Sequence, residues 1–131
     1  MTRQIINPDS ISKPMGPYSQ GVVTTGGKLA IISGQVPEDV KGNLIGKGDI
    51  DVQARQVLNN LKVMVEESGG TLSDIVKITI FMVEINSFSY DCLDKLRKEF
   101  FGADYPTSTM VEVKRLAKPE WLVEIEAWAV I

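Results

Sequence analysis

The stretch Asp49–Val83, DIDVQARQVLNNLKVMVEESGGTLSDIVKITIFMV, decides the fold class. Its first part predicts a helix over 49–68. Val57, Leu58, Leu61, Met64 and Val65 recur at helical spacing and form one apolar stripe. Asp49 or Asp51 caps the start, where acidic groups suit the helix dipole. Gly69-Gly70 ends the helix, because glycine accepts the left-handed backbone of a C-terminal cap. The period then changes. Ile75–Val83 is rich in β-branched residues and reads as a buried strand.

Working outward, Ile5–Tyr18 holds Pro8, Pro14 and Pro17 and reads as irregular. Ser19–Val23 and Leu29–Ser33 read as strands joined by Thr25-Gly26-Gly27-Lys28, a hairpin signal. Gly34–Gly48 is loop. Ser87 or Ser89 opens a second helix that runs to about Phe101, with Phe88, Cys92 or Leu93, Leu96 and Phe100 as its stripe. Pro106 breaks the chain. Thr109–Arg115 and Trp121–Ile131 are the last strands, the latter with Val123, Ile125, Ala127 and Ala129 facing one way. Two helices on one face of a mixed sheet make an α+β sandwich. Apolar residues on both parities of the last strand imply that a partner subunit covers the open face.

With 131 residues the chain is read as a single domain, 1–131, large enough to fold without disulfide or metal staples. One cysteine permits no intrachain disulfide and suits a reducing compartment. The absence of histidine excludes Ser-His-Asp and Cys-His catalysis and His-ligated metal. A net charge of −3 argues against a nucleic-acid partner. Met1–Pro14 has no apolar core of signal-peptide length, and no apolar run approaches the ~20 residues that span a bilayer. The expectation is a cytoplasmic protein with no membrane partner.

Four places carry candidate chemistry. Gly16-Pro17-Tyr18 either anchors an N-terminal loop or aims the Tyr18 ring into a cleft. Ser33-Gly34 is either a plain strand exit or a site where backbone approaches a ligand closely. Cys92, with no histidine to activate it, reads as a small core residue. Glu124 and Glu126, with Glu112 in the preceding strand, are either solvated or partly buried. Burial would raise a carboxyl pKa toward general acid–base use.

In order and spacing, Gly16-Pro17-Tyr18-Ser19-Gln20-Gly21, Ile32-Ser33-Gly34-Gln35-Val36-Pro37, Gln53–Asn60, Gly69-Gly70, Tyr105-Pro106, Val111-Glu112-Val113 and Val123-Glu124-Ile125-Glu126-Ala127 resemble the RidA family, also called YjgF, the reactive intermediate deaminases. The resemblance implies a chorismate-mutase-like fold and a homotrimer with a central barrel, the ligand clefts lying between subunits. It implies hydrolysis of enamines and imines such as 2-aminoacrylate, with no metal and no cofactor. It gives Glu124 the catalytic water and puts Tyr18, Ser33, Gly34, Cys92, Ser108, Thr109 and Met110 around the substrate. Ser108 stands where the deaminases carry an arginine that clamps the substrate carboxylate. Cys92 stands where many members have asparagine, and Met110 where many have cysteine. Loss of a buried charge-assisted contact costs about 10²–10³ in binding. Either Lys13, Lys114 or Arg115 replaces the cation, with Lys114 alone on the Ser108 side of its strand, or the ligand is larger or less acidic than 2-aminoacrylate. A non-catalytic trimer that binds a metabolite or partner is the alternative. The endoribonuclease activity attributed to some relatives fits an acidic, histidine-free chain least.

Overall fold

The computed structural model describes residues 2–131. The elements are strands β1 (Thr2–Ile6), β2 (Gly21–Thr25) and β3 (Leu29–Gln35), helix α1 (Ile50–Glu67), β4 (Ile75–Met82), α2 (Ser87–Phe101), β5 (Thr107–Glu112) and β6 (Val123–Val130). Helix α1 forms where the apolar period demands. The Asp49 side chain accepts a hydrogen bond from the Val52 N–H at 3.1 Å, and Gly69 ends the helix at φ 96°. Val57, Leu58, Leu61 and Val65 are wholly buried, and Met64 is exposed at the margin of the stripe. Helix α2 is capped by Asn86, one residue before Ser87 and three before Ser89, the two expected caps, in a reciprocal pair of bonds with Ser89.

The main sheet has the order β3-β6-β4-β5. It is mixed: β6 is antiparallel to β3 and β4, while β5 runs parallel to β4. Directly paired residues share a face. Ile78 and Ile80 of β4 lie beside Ala127 and Ile125 of β6, and all four are buried with the helices. Lys77, Thr79 and Phe81 lie beside Trp128, Glu126 and Glu124 on the other, open face. Large apolar side chains stand exposed on that face, Ile31 at 67 % and Trp128 at 40 %. The α+β sandwich with both helices on one face is therefore the architecture.

Three expectations need correction. The N-terminal segment is not irregular throughout, because Thr2–Ile6 pairs with β2. The alternation there is too short to announce itself. The glycine turn does not close a β2–β3 hairpin. Instead β1 and β2 form a two-stranded sheet of their own, and the start of β3 bonds to the end of β6 through Lys28 and Ile131. Gly27, at φ 75°, lies so close to the Ile131 carbonyl that a Cβ would sit 2.6 Å from it. Finally, Phe88 is 73 % exposed and Phe101 takes the buried end of the α2 stripe.

Gln53 is a polar side chain with no exposure. Its Oε1 accepts from the Leu122 N–H at 2.8 Å, and its Nε2 donates to the Glu120 and Gly46 carbonyls at 3.0 and 3.1 Å. It ties α1 to the chain entering β6. We expect Gln53→Leu to lower the unfolding free energy by about 2 kcal/mol, because backbone groups lose their partner, as read by urea denaturation.

Candidate functional site

Ser108 and Met110 pair with Ile78 and Ile80, so both turn to the helix side at the β5 edge of the sheet. There they meet Arg97 of α2, which is only 3 % exposed. Its Nη1 donates to Ser108 Oγ at 3.1 Å, its Nη2 to Asp94 Oδ1 at 2.5 Å, and its Nε to the Leu93 carbonyl at 3.4 Å. Met15, Tyr18 and Tyr90 complete the wall of a cavity of about 200 Å³ with Arg97, Ser108 and Met110. This volume is below the roughly 300–1,000 Å³ of drug-sized ligand pockets, so it has room for a small ligand only.

The loop before β2 carries Tyr18 there for local reasons. Gly16 lies against α2, where a Cβ would come within 3.3 Å of Asp94 Oδ1. Pro17 and Ser19 are buried. The Ser19 N–H donates to the Pro106 carbonyl at 3.1 Å, and its hydroxyl donates to the Tyr105 carbonyl. The Gly-Pro-Tyr-Ser string thus binds the loop to the start of β5 and leaves the Tyr18 ring on the cavity.

Glu124 lies on the opposite, open face of the sheet, opposite Phe81. Its carboxyl covers the backbone of Gly34, so closely that a Cβ on Gly34 would fall 2.0 Å from Oε2. Only glycine leaves that room. The register of β3 on β6 shifts between Ile32 and Gln35, so Ser33 and Gly34 form a bulge beneath the carboxylate. Burial, and secondarily the charge of Glu126, hold the Glu124 pKa above the ordinary carboxyl value.

The predicted residues therefore fall into two groups. Tyr18, Ser108 and Met110 share the cavity; Ser33, Gly34 and Glu124 share the open face. Thr109, beside Thr79 in the row of Glu126, also belongs to the open face. With two strand spacings and three residues between Ser108 and Glu124, their backbones lie about 14 Å apart. Cys92 belongs to neither group. It is part of the buried core, facing the start of α1, where burial pushes its thiol pKa up. A core thiol on the α1 side is out of reach of a ligand in the Ser108 cavity. Glu112 accepts from the Ile85 N–H and takes no part.

The cation beside Ser108 is none of the three expected. Strand β5 ends at Glu112, before Lys114. Arg115 donates to the Leu116 and Ala117 carbonyls, and Lys13 is exposed. Arg97 was passed over because a charged residue on a helix reads as solvated. The signal was its position one residue after Leu96 and four after Leu93, on the buried stripe.

The sequence profile of the family described as Endoribonuclease L-PSP matches residues 9–131. A RutC family protein of Pyrococcus horikoshii is 40 % identical over 127 residues, 97 % of each chain. A protein of Salmonella typhimurium named 2-iminobutanoate/2-iminopropanoate deaminase is 41 % identical over 119 residues, 88 % of each chain. Among solved structures, the conserved Rid family protein YyfB of Yersinia pestis superposes with a TM-score of 0.94 at 32 % identity, covering all of both chains. The chain belongs to this family, the RidA/YjgF proteins.

Because the native state binds the Glu124 proton more tightly than the unfolded chain does, stability declines as pH rises above about 4.5, the ordinary value, through the native pKa. Glu124→Gln removes this term. We expect the variant to exceed the parent in urea midpoint at pH 7 and to converge with it near pH 4, below the unfolded pKa. Gly34→Ala should expel the carboxyl from its place, and a carboxyl carbon-13 titration should then show the Glu124 pKa falling back toward 4.5.

Proposed function

We propose that this protein hydrolyses an imine or enamine metabolite to a carbonyl compound and ammonia, at clefts between the copies of a homotrimer. The observation that carries this reading is Arg97. A buried guanidinium, joined to Ser108, supplies from α2 the positive charge that position 108 lacks. The relatives named 2-iminobutanoate/2-iminopropanoate deaminase at 37 % and 41 % identity support the reaction class. In the proposed step, water adds to the imine carbon, which is electrophilic without a cofactor. Glu124 takes a proton from that water and passes it to nitrogen, giving a carbinolamine; the carbinolamine hydroxyl then gives its proton, again by way of Glu124, to nitrogen, and the C–N bond breaks to release ammonia and leave the carbonyl. A carboxyl with a raised pKa is suited to both transfers.

The same geometry bears on substrate. Arg97 is already paired with Asp94, which offsets its charge, and Met15 and Met110 add a flexible apolar wall. We infer a substrate less acidic or longer in side chain than 2-aminoacrylate, held by the Ser108 hydroxyl and the free N–H groups of Arg97. The Arg97–Asp94 pair also favours one competing reading, a trimer that binds a metabolite without turnover.

Ammonia release from enzymatically generated 2-imino acids of increasing chain length distinguishes the two. We expect turnover that rises from the two-carbon side chain upward. Glu124→Gln should lower kcat by about 10²–10⁴, and Arg97→Leu should raise KM by about 10². No turnover with any imine, together with ligand binding that Glu124→Gln leaves unchanged, would establish the binding reading instead.

A further inference from the structure

Among the edge strands of this chain, β2 and β3 each leave one side unpaired. Among the described residues, Gly21–Thr25 makes no backbone hydrogen bond outside its pairing with β1, and β3 uses only the edge that meets β6. A bare edge is a template for another strand. A two-stranded ribbon such as β1–β2 is also marginal alone in water. The ribbon is nevertheless held in place. Ser19 bridges to Thr107 and bonds to the Tyr105 and Pro106 carbonyls, while the Arg3 guanidinium donates to the Ser73 and Asp104 carbonyls. These anchors lie at the β5 end of the sheet. The free edge of β3 is at the other margin, three strand spacings or about 14 Å away. The ribbon therefore cannot keep its anchors and also pair with β3 of its own chain.

We propose that β2 of each copy stays anchored on its own β5 and seats its free edge on β3 of the next copy, extending that copy's sheet from four strands to six. The occupant is a second copy of this chain, because the chain itself carries the complementary strand. Thr25-Gly26-Gly27-Lys28 has the sequence of a two-residue hairpin turn, which matches Thr24 to Leu29 and Val22 to Ile31 in antiparallel register. Leu29 and Ile31 are 57 % and 67 % exposed, and this pairing sets β-branched side chains directly against them. The contact is head-to-tail, the kind that gives a ring when the rotation between copies closes.

The register has a consequence for the site, one that rests on the function proposed above. Continued past Gly21, it brings Ser19 of one copy opposite the Ser33–Gly34 bulge of the next. Ser19 adjoins the Tyr18–Ser108–Arg97 cavity, and Gly34 lies under Glu124. The two groups of residues that one chain holds on opposite faces then meet across the joint. The cation and hydroxyls come from one copy, the carboxylate from its neighbour.

Disulfide trapping tests this pairing. In a Cys92→Ala background, chains carrying Val22→Cys are co-expressed with chains carrying Ile31→Cys and oxidised. We expect a disulfide-linked two-chain band in the mixture, absent from either variant alone. The Val22→Cys/Ile31→Cys double variant should give a ladder of covalent oligomers. A double variant that closes its disulfide within one chain would overturn the proposal, as would a parent protein of single-copy mass by native mass spectrometry. If the interchain disulfide forms but no imine turns over, the arm exchange stands and the deaminase reading fails.

Discussion

The site depends on the burial of one guanidinium. Arg97 is almost wholly withdrawn from water, and a charge so placed must be matched by partners. Asp94 supplies the opposite charge from the preceding turn of α2, Leu93 a carbonyl, and Ser108 a hydroxyl from the sheet. The serine is thus part of a coupled arrangement. The serine hydroxyl and the inward turn of Arg97 are coupled through the hydrogen bond between them.

Strand alternation sets the second constraint. Successive side chains leave a strand on opposite faces, so Ser108 and Thr109 cannot both look into the same cavity. The helix side holds Ser108 and Met110 with Arg97; the open side holds Glu124, Glu126 and Thr109. A single chain therefore separates the candidate proton carrier from the candidate substrate clamp by the thickness of its own sheet. Exposed Ile31 and Trp128 on the open side mark where a further surface is needed.

Much of the fold was legible in the residues. The helix over 49–68 and the strand over 75–83 follow from a change of apolar period at Gly69-Gly70, and both stand within a residue or two of expectation. The alternation of β6 revealed which of its side chains enter the core. The arm was not legible. Thr25-Gly26-Gly27-Lys28 has the chemistry of a hairpin turn, and local rules cannot register that Ser19 finds better partners at Pro106 and Tyr105, far away in sequence. Cys92 illustrates the same limit: its place in a helix was clear, but which neighbour that helix face meets was decided by α1.

By itself, the sequence determined the family and the α+β class, and it offered Gly34 and Glu124 as candidate site residues. Each of these rests on periodicity, on residue chemistry or on strings of neighbouring residues. Only the tertiary structure decided that Arg97 is the cation beside Ser108, that Cys92 faces α1 rather than the Ser108 cavity, and that Glu124 and Ser108 occupy opposite faces. These are relations between residues on different elements, such as Arg97 and Ser108 eleven residues apart, set by strand order and by the packing of α2 on the sheet edge. Charge burial is such a relation. A guanidinium that reads as a solvated side chain in isolation becomes the centre of the cavity once a helix face is pressed against β5.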